Sequence, residues 1–403
     1  MQGQGGCRDY WEFRGVRYAA APVGELRFKA PRPAAPWKGV VNATAEGSGC
    51  PQVSQGKVTG SEDCLNLDVY TPTLKCSGRS YPVIVWFHGG NLITGGVSRK
   101  EYGPDFLVHH DVVLVEPNYR LGALGFLNLD TSSVPGNAGI KDGLAALRWV
   151  RDNVAAFCGD PARVTLMGQS AGAKLVGFMA LSKGGQGLFR AAIQMSGTAN
   201  SPLAYTEDHV QRAHDLAARL GNTGTDAASV ERTLLRADWR DLTRRTFEMN
   251  DNSGWGLPYN PFVASPERRP ADGEEVALNR DPESLLSDPA VPRVPTLAGV
   301  VSGEGVAFTY GNVEAFQTSH SQHVYQTLKK VCLSRQFVPK TKNVEDLDEV
   351  YTQKNDILDQ GWTDLKNTSL ELSKVVNLDS SYSLTSFRNR VLIQVYKPWK
   401  VQG

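Results

Sequence analysis

Short β-branched or apolar runs alternate with longer amphipathic stretches between Pro82 and Val301, and such alternation folds as strands of a parallel sheet joined by helices. Pro82–Phe87 (PVIVWF) and Asp111–Val115 (DVVLV) are apolar almost without interruption, the pattern of strands covered on both faces. After Ile140, Leu144, Leu147 and Val154 recur at helical spacing until Gly159, Asp160 and Pro161 stop the segment. Arg163–Met167 (RVTLM) reads as a strand, Gly168–Gly172 (GQSAG) as a sharp turn, and the Ala- and Leu-rich stretch to Leu181 as a helix. Phe189–Met195 and Val294–Val301 supply further core strands, and the charge-rich stretch between Thr206 and Arg245 inserts helices between them. Asn250–Gly256 reads as a loop, and past Tyr310 the periodicity weakens. The expected fold is α/β, with a mostly parallel central sheet flanked by helices and an inserted helical layer. A single domain is expected across 1–403.

Charge and cysteine usage narrow the partners. Lys and Arg number 43 against 42 Asp and Glu, and a net charge of +1 gives no broad field to attract nucleic acid or anionic lipid. No apolar run approaches the ~18 residues that a membrane span requires. The six cysteines, Cys7, Cys50, Cys64, Cys76, Cys158 and Cys332, lack the Cys-x-x-Cys or Cys/His spacing of a zinc site, so no metal is expected. Neither dinucleotide nor P-loop glycine motif follows a predicted strand, so no nucleotide cofactor is expected either. Met1–Tyr10 (MQGQGGCRDY) has neither the basic start nor the apolar core of a secretory signal. Sequons at Asn42 and Asn367 carry meaning only in a secreted chain.

Chemistry concentrates at Gly168–Gly172. Gly-x-Ser-x-Gly is a common run, but here it joins a strand to a helix, the setting in which a strained turn lifts Ser170 Oγ above the sheet edge. Gly168, Ala171 and Gly172 are small enough to let the turn close, and the helix aims its first N–H groups at a developing oxyanion. Ala171 N–H is one such donor. His88, Gly89, Gly90 and Asn91 follow the strand ending at Phe87; alone they read as an ordinary glycine turn, and with Ser170 in this chain order they read as an oxyanion loop.

Several longer runs carry a resemblance. FRGVRYAA (Phe13–Ala20), PVGELRF (Pro22–Phe28), SEDCLNLDVYTP (Ser61–Pro72), VWFHGG (Val85–Gly90), NYRLGALGF (Asn118–Phe126), Gly136–Arg148, GQSAGA (Gly168–Ala173) and Val300–Gly305 resemble type-B carboxylesterases, the cholinesterase-like α/β-hydrolases. The likeness covers nearly all of residues 11–310. GQSAG followed by Ala173, with Arg27 and Phe28, looks like juvenile hormone esterases and related arthropod esterases, although Gly143 after Asp142 departs from their Asp-Gln. The resemblance implies an α/β-hydrolase fold and a secreted carboxylic ester hydrolase of small-molecule esters, without a cofactor. It makes Ser170 the nucleophile, Gly90, Asn91 and Ala171 the oxyanion donors, Glu304 the triad acid, and Ser196 and Gly197 supports behind the site. It also implies a Cys50–Cys64 disulfide, which would stabilise by about 3 kcal/mol in the chain-entropy model and indicates an oxidising compartment. Arg27 with Glu62, and Arg120 with Asp160, match family ion pairs.

Departures shift the expected substrate and raise an alternative. Asn91 stands where many relatives have a third glycine; its N–H remains a donor while its side chain narrows the pocket. Gln169 replaces the acid that cholinesterases carry, and Pro51–Asp63 holds no aromatic to face a quaternary ammonium, so choline esters fit poorly. Ester hydrolysis also needs a base for Ser170. His320 and His323 follow Glu304 too closely, lack a Gly-x-x-His context and read as surface histidines; in the family the histidine segment begins beyond Gly403. The expectation is a chain incomplete at both ends. A noncatalytic relative that binds a partner or ligand is the alternative, and the two readings differ in whether Ser170 reacts covalently.

Overall fold

One sheet organises the chain, and its strand order decides where chemistry can occur. The computed structural model describes residues 2–5, 8–201, 204–250, 260–270, 273–301 and 391–396, all within one compact unit. In chain order the strands are β1 (Gln2–Gly5), β2 (Arg8–Arg17), β3 (Gln52–Ser54), β4 (Lys57–Thr59), β5 (Asn66–Thr71), β6 (Tyr81–Phe87), β7 (Val113–Pro117), β8 (Gly159–Gln169), β9 (Ala191–Met195), β10 (Thr296–Val301) and β11 (Val391–Tyr396). The helices are α1 (Arg99–Tyr102), α2 (Gly122–Phe126), α3 (Ala138–Asn153), α4 (Ala171–Leu181), α5 (His209–Arg219), α6 (Ala227–Arg236), α7 (Trp239–Glu248) and α8 (Pro282–Ser287). Among the described residues the main sheet runs β1-β2-β5-β7-β6-β8-β9-β10-β11, and β3 pairs with β4 apart from it.

The five central strands, β7, β6, β8, β9 and β10, are parallel, and the outer pairings are antiparallel. Their apolar runs are consistent with this: Val83, Val85, Phe87, Val113, Val115 and Leu166 are all fully buried. The strand order reverses around β6, whose next strand in sequence lies on one side while β8 lies on the other. At such a switch point the loops leaving the carboxyl ends diverge and open a crevice. The expected helical insertion is present as α5, α6 and α7.

Boundaries differ from the sequence reading at several strands: β9 starts at Ala191 and not Phe189, β10 at Thr296 and not Val294, and β8 and β7 also shift. β8 begins at Gly159 rather than Arg163, because the register jumps between Tyr81 and Val83 of β6 and the strand absorbs Pro161, which has no N–H to donate, in that irregularity. β7 begins at Val113 because Asp111 is left-handed and closes a 3-10 turn. The Asn250–Gly256 loop, His320, His323 and Asn367 lie outside the described residues, apart from Asn250 itself.

Two disulfides tie the sheet together. Cys50 bonds Cys64 as the resemblance implied, and Cys76 bonds Cys158, joining the segment after β5 to the start of β8. Arg27 and Glu62 form a two-pronged pair, 2.7 Å for each bond. The expected Arg120–Asp160 pair is corrected: Arg120 Nε and Nη2 bond Asp142 on α3 at 2.7 and 2.6 Å, and Asp160 pairs with Arg163. Asp160 opens β8 at one end of the sheet, whereas Arg120 follows the opposite, carboxyl end of β7.

A buried acid pair sits on the antiparallel side. Asp68 of β5 and Glu116 of β7 are directly opposite in register, so their side chains share one face. Asp68 accepts from Gly15 N–H and Tyr70 O–H, while neither Glu116 oxygen has a hydrogen-bond partner. Burial, then the charges of Asp68 and Glu46, push Glu116 well above the usual carboxylate range, and burial, opposed by the Gly15 and Tyr70 hydrogen bonds, raises Asp68 to about 6. Both folded values lie above the unfolded ones, so the pair's stabilisation is complete below about pH 4 and falls as pH rises through the folded values. Glu116→Gln removes the charge that burial opposes, and at pH 8 it is expected to raise stability by roughly 1–3 kcal/mol. Urea midpoints at pH 5 and 8 check this: the variant's gain should appear at pH 8 and shrink at pH 5.

Candidate active site

The ends of β6 and β8 bring two loops together. Phe87 pairs with Gly168, so the His88–Asn91 loop and the Gln169–Ser170 turn leave adjacent strands at the same level. A β-carbon on Gly89 would lie 3.2 Å from Ser170 Cβ and 2.7 Å from Gln169 Oε1, which measures how closely the loop approaches the serine. Gly172 is required for another reason: a β-carbon there would collide with the Phe87 carbonyl, so only glycine lets α4 start directly beneath the loop.

Ser170 holds an unusual backbone, φ 55° and ψ −120°, at the N-cap of α4. Such geometry costs about 1–3 kcal/mol and is retained where surroundings enforce it. Ser170 N–H donates to Met195 O at 2.8 Å, and Lys174 N–H donates to Ser170 O at 3.1 Å. Gly197 backs directly onto the Ser170 carbonyl, and Ser196, also left-handed at φ 55°, donates its N–H to Gly299 O at 2.8 Å. The structure thus brings Ser170, Ala171, Gly90, Asn91, Ser196 and Gly197 to one end of the sheet. Glu304, three positions past the end of β10, lies outside the described residues.

The loop's peptides are oriented from their carbonyl side. Gly89 O faces His88 Nδ1 at 2.8 Å, and Gly90 O accepts the N–H groups of Ile93 and Thr94, both at 3.0 Å. In a trans peptide the N–H points opposite its C=O, so Gly90 N–H and Asn91 N–H turn away from those partners. Ala171 N–H, at the first position of α4, has no carbonyl within the helix to accept it. These are three backbone donors of the kind that bind an oxyanion.

His88 serves the loop. Its ring stacks on Tyr119, centroids 4.5 Å apart, and Tyr119 O–H donates to His88 O at 2.8 Å. A carbonyl partner requires the proton on Nδ1, and burial lowers the pKa to about 4, so the ring is neutral. Its Nε2 has no hydrogen-bond partner, so it is not bonded to Ser170 Oγ. Lys174, one helical turn after Ser170, is lowered by burial to about 8. The sequence reading missed both this amine and Asn260, which reaches the loop from a distant segment.

Beside the loop, Ile93, Leu121, Leu124, Leu242 and Phe247 line a narrow apolar crevice between α2 and α7. Among the described residues no group of three or more His, Cys, Asp or Glu side chains is arranged to hold a metal ion, and no helix is long and apolar enough to cross a membrane.

The carboxylesterase family model matches residues 2–390. The chain belongs to that family. As a carboxylesterase-family member it is 36% identical over 310 residues to juvenile hormone esterase of Heliothis virescens, covering 73% of this chain and 54% of that protein. It is 37% identical over 310 residues to esterase FE4 of Myzus persicae, covering 75% and 53%. The chain therefore spans about half the length of the curated relatives it matches. The solved juvenile hormone esterase of Manduca sexta, with OTFP covalently attached, superposes with a TM-score of 0.68 at 31% identity, covering 87% of this chain and 70% of that one. This likeness agrees with the α/β-hydrolase fold expected from the sequence.

Proposed function

We propose that the whole protein is a carboxylic ester hydrolase that acts on neutral small-molecule esters through an acyl-enzyme at Ser170. The reading rests on one observation above others: a serine in a strained strand-to-helix turn, at the switch point of the sheet, beside a loop with oriented N–H groups. Ser170 Oγ attacks the ester carbonyl, and Gly90, Asn91 and Ala171 N–H groups stabilise the oxyanion. Collapse expels the alcohol and leaves the acyl group on Ser170; water then attacks the acyl carbon and releases the acid. Glu304 is assigned to orient a histidine base that takes the Ser170 proton and returns it to the leaving alcohol. Ser196 and Gly197 hold the backbone behind the nucleophile.

An uncharged substrate is supported by Gln169, an amide and not an acid, at the position next to the nucleophile. The names of the relatives make apolar esters the first class to try. Secretion is proposed from the two disulfides and from Asn42, an exposed sequon residue.

Rapid mixing of full-length protein with p-nitrophenyl acetate tests the reading. The expected result is a burst of up to about one equivalent of p-nitrophenol, with acetylthiocholine turned over far more slowly. A trace with no burst and no turnover, or a preference for the choline ester, would contradict it.

A further inference from the structure

Asn260 lies 169 residues from the oxyanion loop in sequence and touches it in space. Its Nδ2 donates to Asn91 O at 2.7 Å, and its Oδ1 accepts Phe262 N–H at 2.9 Å. A carbonyl on one side and an N–H on the other fix which end of the amide is which. The side chain is buried, 2% exposed. We propose that Asn260 is a positioning residue that holds the oxyanion loop in its donor-presenting conformation, a role that rests on the esterase reading.

The loop needs holding. Asn91 and Leu92 are both left-handed, at φ 55° and 60°, a conformation that Asn tolerates and Leu rarely adopts. Three successive carbonyls meet three different partners. Gly90 O is held within the loop, Asn91 O by Asn260, and Leu92 O by Gly122 N–H of α2 at 2.6 Å. Fixing Asn91 O fixes the peptide that follows the donor residue, and through its Cα restricts rotation of the Gly90–Asn91 peptide that carries the Asn91 N–H.

Asn260 is itself mounted on a rigid support. Pro261 O accepts from Arg212 of α5 at 2.9 Å. Farther along, Ser265 exchanges two bonds with Asn137, the N-cap of α3, at 2.7 and 3.1 Å. The segment therefore transmits the position of α3 and α5 to the loop. Its contact with the loop is at Asn91, so the inference concerns a pair of asparagines, Asn91 and Asn260.

Asn260→Asp is the discriminating variant. It keeps the acceptor for Phe262 N–H and replaces the donor with an oxygen that repels the Asn91 carbonyl. Asn260→Ala removes both bonds without repulsion. The readout is the rate constant for phosphonylation of full-length protein by a fluorophosphonate, in which serine oxygen displaces fluoride at phosphorus. This constant belongs to the reacting molecules alone, so a partly misfolded preparation does not change it. The proposal expects Asn260→Asp to react about 10- to 100-fold more slowly, with Asn260→Ala between it and the wild type, and the same order in kcat with KM changed less than about threefold. Wild-type rate constants in both variants, with only the melting temperature lowered, would make Asn260 structural and overturn the proposal. A wild-type protein that does not react at all would overturn the esterase reading, and the proposal with it.

Discussion

Replacing Ser170 by alanine is expected to lower kcat for neutral esters by about 10⁴- to 10⁶-fold while the protein remains folded. The substitution removes one oxygen and leaves the backbone bonds of the turn, Ser170 N–H to Met195 O and Lys174 N–H to Ser170 O, available as before. Ala and Ser have similar difficulty at φ 55°, so the strain of the turn is nearly unchanged. The proposed oxyanion donors also remain, because they are backbone groups on residues 90, 91 and 171. Any residual rate comes from binding and oxyanion stabilisation without a nucleophile. Steady-state hydrolysis, paired with a thermal melt, reads both quantities. A variant that retained more than about a hundredth of the activity would place the nucleophile elsewhere.

Asp142→Ala should have the largest effect on stability, about 3–5 kcal/mol. Asp142 is fully buried and receives three bonds from Arg120, from Nε, Nη2 and the backbone N–H, at 2.7, 2.6 and 3.0 Å. Arg120 is only 3% exposed, so alanine leaves a guanidinium without a counter-charge in a site that water cannot reach. Asp142→Asn preserves shape and part of the bonding and should lose less. The effect also reaches the candidate active site. Arg120 leads into Leu121 and Gly122, and Gly122 N–H holds the Leu92 carbonyl of the oxyanion loop. Urea unfolding measures the loss, and a change below about 1 kcal/mol would mean that Arg120 finds another partner.

The sequence made the strand-turn-helix around Ser170 more legible than the ion pairs or the sheet's outer strands. β6 and α4 were visible because an unbroken apolar run and a glycine-flanked serine are both local patterns. β2 and β5 did not show the same signal. Tyr10 and Glu12 of β2 turn inward while Trp11 is exposed, so a charge occupies a core position and an indole a surface one. β5 buries Asn66 and Asp68 among its apolar residues, which breaks the expected run. Cys76–Cys158 was closed to sequence reasoning because spacing does not determine connectivity. Arg120 was given the wrong carboxylate by the resemblance; Asp130, Asp142, Asp152 and Asp160 all follow it in the chain, and only the fold brings Asp142 to it. Asn260 was missed because a single amide 169 residues from its partner leaves no pattern at all.

The most direct test is to treat full-length protein with a fluorophosphonate, digest it and locate the adduct by mass spectrometry. The account predicts one phosphonyl group per chain, on Ser170, and no labelling of Ser170→Ala. An adduct confined to any other residue, or an unmodified Ser170 after prolonged exposure, would contradict it.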